Sequence, residues 1–351
     1  LIQQVLTHLA ALVGFDTQNP PRRPDPAIFE YLRHALPDFE HTLTDHGEGS
    51  LSLLSVRGNP RVLFNVHIDT VPAAENYSAD PLKLRIENER AIGLGACDIK
   101  GAAACMITAA AQTPGDAAFL FTSDEEAGQS TCVREFCKGR KHFEAVIVAE
   151  PTQAKAILEH RGILTARADF EGISGHASSG RADLDSALHH AVDWSHAVLT
   201  ETRTAKEITY KNLHGLRFNL GRMEGGVKPN MVASSTFLNF GFRPLPGMDA
   251  PAYLAKLGAL EPRPRQLERG FYGPPLPAPG FHPAEKLAEN YGLPLGDPVD
   301  FWTEASLFSE AGYDALVFGP GNIAQAHAAD EWVPLSDLAS VTQHYTRILS
   351  K

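Results

Sequence analysis

The hydrophobic pattern divides the chain into three sections. In the first, Ile2, Val5, Leu6, Leu9, Leu12 and Val13 recur near helical spacing and predict an amphipathic N-terminal helix. The Pro-rich stretch from Asn19 to Pro26 predicts a loop, and a second helix is expected over residues 27–36. Leu51 to Val56 reads as a strand, and Arg57-Gly58-Asn59-Pro60 predicts a hairpin into a second strand over 61–68. That second run is apolar and β-branched, and it ends in His67-Ile68-Asp69. Two more short apolar runs follow. Ala117 to Phe121 stops abruptly at Ser123-Asp124-Glu125-Glu126, and the run from Ala145 stops at Glu150-Pro151. Short apolar runs bounded by polar residues read as buried strands. Helices are expected between them at 102–111, an Ala-rich segment opened by Gly101, and at 130–138.

From about Gly162 the texture changes. Residues 163–172 alternate, as a strand does in a sheet covered on one face. A long helix from about Asp183 to Leu199, strands at 216–226 and 234–244, and a helix at 250–260 complete a small α+β unit of ferredoxin-like pattern. The Pro- and Gly-rich segment 262–280 reads as a return connection. The last section resumes the first texture, with a helix at 283–291, a helix opened by Thr303-Glu304-Ala305, and a strand from Ala315 to Phe318. The expected fold is therefore α/β: a mixed-sheet domain in two parts, 1–161 and 273–351, interrupted by a smaller domain at 162–272.

Composition narrows the function. At 351 residues the chain exceeds what one core usually supports, roughly 250–300 residues, so two domains are expected. The formal charge is -11, with 42 acids against 31 bases and no long basic run, which argues against nucleic acid as a partner. No stretch approaches the length of a membrane span, and the N-terminal segment carries no basic leader or cleavage-site pattern. Cys97, Cys105, Cys132 and Cys137 lack metal or redox spacing and read as reduced thiols of a cytoplasmic protein.

The candidate chemistry sits at the ends of apolar strands, where open α/β sheets bind their ligands. Asp124, Glu125 and Glu126 repel one another, and the next basic residue is Arg134, so a bound cation is one explanation. A solvated acidic turn before a helix is the other. His67 and Asp69 are two apart and share a strand face, where a carboxylate can fix the tautomer of a metal-binding imidazole. Asp98 precedes the Ala-rich helix, either as a cap or as a ligand. Gly93 and Gly95 suit a tight turn, but the stretch is neither a phosphate loop nor a dinucleotide fingerprint. Histidine with carboxylates at open positions suits zinc, cobalt or manganese better than a thiolate-bound structural zinc.

These motifs run in a particular order: His67-Ile68-Asp69-Thr70-Val71-Pro72, Gly93-Leu94-Gly95 through Asp98-Ile99-Lys100-Gly101, Ser123-Asp124-Glu125-Glu126-Ala127-Gly128, and Glu150-Pro151-Thr152. Gly175-His176, Asn230-Met231 and Gly319-Pro320-Gly321 through His327 follow. In this order they resemble the dinuclear-metal amidohydrolase and peptidase family, which includes carboxypeptidases, desuccinylases and acetylornithine deacetylases. The resemblance implies that Asp98 bridges two divalent ions, zinc or cobalt, with His67 and Glu150 on one and Glu126 and His327 on the other. It implies that Glu125 is the general base, that Asp69 orients His67, and that His176 stabilises an oxyanion in the site of a partner subunit. Asn230 and Arg243 would lie near the substrate carboxylate. The sequence departs from the family pattern at Ile99, where Met is usual, and at Ala177, where Ser is frequent. The implied activity is hydrolysis of an N-acetyl amino acid of arginine biosynthesis, N-acetyl-L-citrulline or N-acetyl-L-ornithine, with overall likeness favouring the former. A homodimer through the inserted lid domain is implied as well. Within the same resemblance stand a carboxypeptidase, a dipeptidase or a desuccinylase; outside it stands a non-catalytic metabolite-binding protein on the same scaffold.

Overall fold

The computed structural model describes residues 1–20, 23–139 and 143–351. The expected Pro-rich loop falls partly on Pro21 and Arg22, which lie outside the described residues; its described part holds no helix or strand before Ala27. The chain forms two compact units. One comprises Leu1–Leu158, Phe281–Asp297 and Thr303–Lys351, and the other Glu159–Gly280 and Pro298–Trp302.

The first unit is built on a six-stranded mixed sheet. Its strand order is Glu40–Asp45, Leu51–Arg57, Ala117–Thr122, Val62–His67, Ala145–Val148 and Asp314–Val317. The last four of these run parallel to one another, so their carboxyl ends share one edge of the sheet. Every residue of Val62–His67, Ala117–Thr122 and Ala145–Val148 is buried, as parallel strands covered on both faces require. The helix Lys100–Gln112 packs against Val62–His67 and between the helices Ile2–Val13 and Leu335–Leu349. It is buried from Lys100 to Ala110, and its glycine and alanines allow that close approach. A Cβ on Gly101 would lie 2.4 Å from the Ala96 carbonyl oxygen, so only glycine fits where this helix begins.

One expectation is corrected here. The strands Leu51–Arg57 and Val62–His67 do not form a hairpin, because Ala117–Thr122 lies between them. A strand buried on both faces needs a neighbour on each side, and Ala117–Thr122 finds an antiparallel partner on one and a parallel partner on the other. The hairpin partner of Leu51–Arg57 is Glu40–Asp45, an exposed edge strand whose sequence EHTLTD has no apolar alternation to betray it. The long terminal helix Leu335–Leu349 and the small sheet of Trp332–Pro334, Arg90–Ile92 and Arg85–Glu87 were not expected either.

The second unit is a four-stranded antiparallel sheet in the order Arg217–Gly225, Ser235–Arg243, Ile163–Glu171 and Gln266–Gly273. With the helices Ala187–Thr204 and Ala250–Gly258 it has the βαββαβ order of a ferredoxin-like fold. The last strand corrects the expectation of a bare connection over 262–280. Pro and Gly flank or interrupt it, and its register shifts between Arg269 and Tyr272, features an edge strand tolerates. The core of this unit centres on Trp194, which packs edge-on to Phe240 and tilted against Phe170 and donates its indole N–H to the Leu257 carbonyl at 3.1 Å. Asp249 caps the second helix by accepting from the Ala252 N–H at 2.9 Å. Among the described residues, no helix of the protein is long and apolar enough to cross a membrane.

His160 and Arg161 enter this unit fully buried. The Arg161 guanidinium donates to Asp300 and to the carbonyls of Gly215 and His214. His160 Nδ1–H donates to the Arg161 carbonyl at 2.7 Å, and burial pushes the pKa of the imidazole down to about 4. The folded state therefore keeps His160 neutral where the unfolded chain, with a pKa of about 6.5, takes up a proton. Stability is expected to fall as pH drops from about 6.5 towards about 4, by up to about 3 kcal/mol from this group. Urea unfolding at pH 7 and pH 5 checks this: wild type should lose more stability on acidification than His160→Gln, and equal losses would remove His160 from the acid response.

Candidate metal centre

The parallel strands deliver the candidate groups to one edge of the first unit. His67 is the last residue of its strand, and Glu125 and Glu126 follow Ala117–Thr122 in the turn beyond Ser123. Glu150 lies two residues past Ala145–Val148, Asp98 two before the helix Lys100–Gln112, and His327 past the short 3₁₀ turn Ile323–Gln325. Asp124 builds the turn that carries the glutamates: its carbonyl accepts from Ser130 N–H at 3.2 Å and its side chain from Cys132 N–H at 3.1 Å.

Asp98 sits at the middle of the cluster. One of its oxygens lies 3.1 Å from His67 Nε2 and the other 3.3 Å from His327 Nε2. Glu150 Oε1 is 3.8 Å from His67 Nε2, and Glu126 Oε1 is 2.9 Å from His327 Nε2. Three sets of potential ligand atoms each fall within 4.8 Å of one another: His67, Asp98 and Glu150; Asp98, Glu126 and His327; and His67, Glu125 and Glu126. The first set is buried, whereas His327 is exposed.

The hydrogen bonds assign the imidazole. His67 Nδ1 lies 3.0 Å from the Asp69 carbonyl, which can only accept, so Nδ1 carries the proton. In the neutral ring, Nε2 then turns a lone pair towards Asp98 and Glu150. Asp69 also lies 3.5 Å from Nδ1 through its carboxylate, and its other oxygen accepts from Glu126 N–H at 3.0 Å. It therefore ties His67 to the loop of the glutamates.

The electrostatics are those of a site built for cations. Burial, then the neighbouring carboxylates, push the Glu150 and Glu125 carboxyls well above the usual range, and Glu126 is raised as well. Asp98, despite its burial, is held low by its bonds to His327 and His67. The bonds from Asp98 and Glu126 raise His327 to about 10, and carboxylates on three sides outweigh burial at His67 and push it well up. Among the described residues, the ion pairs of Asp98, Glu126 and Glu150 are all with these two histidines. The nearby Lys100 is buried, but its ammonium donates to the Phe15 carbonyl at 3.0 Å. Divalent ions would supply the charge that the chain does not, and imidazole with carboxylate is a donor set they accept.

The structure thus brings together seven of the residues singled out in the sequence: His67, Asp69, Asp98, Glu125, Glu126, Glu150 and His327. The other three belong to the second unit. His176 and Asn230 are neighbours on a short two-stranded arm, Gly175–His176 paired with Met231–Val232, where Ala177 N–H donates to the Asn230 carbonyl at 3.1 Å. His176 is exposed, with Nδ1 2.7 Å from Ser178 Oγ. Arg243 ends the strand Ser235–Arg243 opposite Arg217 and lines a groove of about 690 Å³ on the sheet face. A nine-residue strand, roughly 26 Å at 3.3 Å per step, separates it from the arm.

Two buried acids of the first unit went unassigned in the sequence. Glu304 is pushed up to about 8 by burial, then by Asp124, and its field reaches Glu125. It stands in the motif Thr303-Glu304-Ala305, which opens a helix and resembles part of the C-terminal signature of acetylornithine deacetylases, but the sequence assigns the glutamate no role. Glu331 follows His327 closely, but as half of an Asp-Glu pair it reads as a surface acid.

Similarity to known proteins agrees with this arrangement. The chain is 48% identical over 360 residues to an N-acetyl-L-citrulline deacetylase of Xanthomonas campestris pv. campestris, covering 100% of this chain and 98% of that one. It is 28% identical over 343 residues to an acetylornithine deacetylase of Klebsiella pneumoniae, covering 88% of this chain and 85% of the other. The fold matches the crystal structure of a Bacillus subtilis dinuclear metal-binding peptidase with a TM-score of 0.67 at 12% identity, over 99% of this chain and 97% of that one. The sequence pattern of peptidase family M20/M25/M40 matches residues 63–351, and the chain belongs to that family.

Proposed function

We propose that the protein is a two-metal hydrolase that removes the acetyl group from N-acetyl-L-citrulline, giving acetate and citrulline. The observation that carries the chemistry is Asp98, whose two oxygens face two different imidazoles, each with a further glutamate beside it. The substrate follows from likeness: 48% identity across the whole chain to an acetylcitrulline deacetylase, against 28% to an acetylornithine deacetylase. One ion would be held by His67, Asp98 and Glu150 and a second by Asp98, Glu126 and His327; zinc or cobalt suits both sets. Such a pair acidifies a water and polarises the amide carbonyl.

The remaining work falls to side chains. Glu125, whose surroundings raise its affinity for a proton, takes the proton of the attacking water and passes it to the departing nitrogen. Asp69 keeps the His67 proton on Nδ1. Arg243 and Asn230 bind the substrate carboxylate, and His176 donates to the developing oxyanion in the site of a partner copy. The inserted unit serves as lid and dimerisation domain. Support for a dimer comes from apolar side chains left in water on that unit: Ile173, Leu184, Val192 and Met231, with Val227 82% exposed. The separation of Arg243 from His176 and Asn230 also suits a site completed by two copies. A place in cytoplasmic arginine biosynthesis accords with this substrate.

Stripping the protein of metal should abolish acetate release, and zinc or cobalt should restore it. N-acetylcitrulline should be the preferred substrate over N-acetylornithine, dipeptides and N-succinyl amino acids assayed side by side. Turnover confined to peptides or succinyl amides would keep the metal chemistry and overturn the substrate. Glu125→Gln should retain both metals, by elemental analysis, and lose about 10²–10⁴ in kcat; full activity in that variant would deny Glu125 the role of base. Mixing Glu125→Gln with His176→Ala, each nearly inactive alone, should restore part of the activity. No recovery in a mixture shown to contain mixed dimers would exclude His176 from a partner's site.

A further inference from the structure

Asp98 can face two imidazoles only if its backbone is held still, and the segment that carries it has no regular structure. Residues 93–99 run as turns between the strand Arg90–Ile92 and the helix Lys100–Gln112. Their amides converge on one distant side chain. Glu331 Oε1 accepts from Cys97 N–H and from Asp98 N–H, each at 2.8 Å, and Oε2 accepts from Gly95 N–H at 2.9 Å. The Glu331 carbonyl accepts from Gly93 N–H, also at 2.9 Å. The carboxylate is 2% exposed, and bonds from amides to an ionised acceptor are roughly twice as strong as neutral ones. Gly95, at φ +76, lets the chain curl around it; a Cβ there would lie 2.7 Å from Thr70 Cγ2.

Glu331 is itself anchored on both sides. Trp332 pairs with Ile92, which fixes Glu331 alongside Gly93. Asp330, at φ 54, accepts from Ser78 N–H at 3.1 Å and from Arg85 Nη2 at 2.7 Å. The short stretch 327–331 therefore carries two things at once: the imidazole of His327 and the carboxylate that grips the backbone of Asp98.

We propose that Glu331 is a positioning residue for the hydrolysis: by clamping the amides of residues 95, 97 and 98 it sets how Asp98 divides its oxygens between His67 and His327, and so links the two metal sites. This rests on the two-metal reading of the site. Nothing in it depends on the identity of the acyl substrate. Outer partners of this kind typically cost 10–100-fold in metal affinity or activity when removed.

The experiment uses the full chain and cobalt as the probe. Cobalt uptake is followed by its visible absorption and by competition with a chelator in wild type, Glu331→Gln, Glu331→Asp and His327→Ala, with folding checked by circular dichroism. Gln replaces one acceptor oxygen with an amide NH2, a donor facing backbone N–H donors. In Glu331→Gln both cobalt equivalents should bind at least about 10-fold more weakly, and kcat on N-acetylcitrulline should fall about 10–100-fold with KM within about twofold. Glu331→Asp, which keeps the charge, should recover part of both losses and provides the measurement if the Gln variant does not fold. His327→Ala should weaken one equivalent only. If the Glu331 variants bind both equivalents as wild type does, however far their melting temperature falls, Glu331 is merely structural and the proposal fails. It also fails if only one equivalent weakens. A wild type that binds two cobalt ions but hydrolyses no acetyl amide would sink the deacetylase reading and leave this one standing; a wild type that binds fewer than two would sink both.

Discussion

Carboxylates confined within a few ångströms of one another and withdrawn from water repel strongly, and the rest of the first unit is arranged around that repulsion. Glu125, Glu126 and Glu150 are all pushed towards the neutral acid by burial and then by neighbouring carboxylates, Asp98 among them. The two imidazoles relieve part of this only by taking up protons, which would cost them the lone pairs they turn towards Asp98. A pair of divalent ions relieves the strain without that cost.

Holding such a cluster demands a stiff frame. The parallel strands supply it because they are buried on both faces, and close-packed interiors resist deformation. The helix Lys100–Gln112 can lie against them because glycine and alanine occupy its crowded turns. Loops bring the remaining groups, and each is pinned by charge-assisted bonds to the backbone. Asp69 grips Glu126 N–H, Asp124 grips Cys132 N–H, and Glu331 grips the amides of residues 95, 97 and 98. Acids thus serve twice here, as groups facing the centre and as struts behind it.

The second unit follows a different logic. Its sheet alternates buried and open positions, so one face packs on Trp194 and the helices while the other presents charged side chains such as Arg167, Arg217 and Arg243. Its most exposed apolar side chains lie apart from that groove, at the arm of His176 and along the helices near it. A single unit therefore presents a charged face and, apart from it, a region of exposed apolar side chains.

Much of the first unit was legible in the sequence. The strands Val62–His67, Ala117–Thr122 and Ala145–Val148 announce themselves as apolar runs, and the chemistry announces itself as the His or Glu at or just past each end. That information is local: residue type, period and the break between apolar and polar depend on neighbours in the chain. The order of the strands was not legible. Two apolar strands joined by Gly58-Asn59-Pro60 look like a hairpin, and only the packing of a third strand between them shows otherwise. Nor was the edge strand Glu40–Asp45, which faces solvent and needs no apolar alternation. His67, Asp98, Glu125, Glu126, Glu150 and His327 could be named one by one, yet which oxygen faces which nitrogen is a matter of tertiary contact. Glu331 marks the boundary most clearly. In sequence it is one of two adjacent acids; in the fold it closes on amides more than 230 positions away, because strand pairing at Trp332 carries it there.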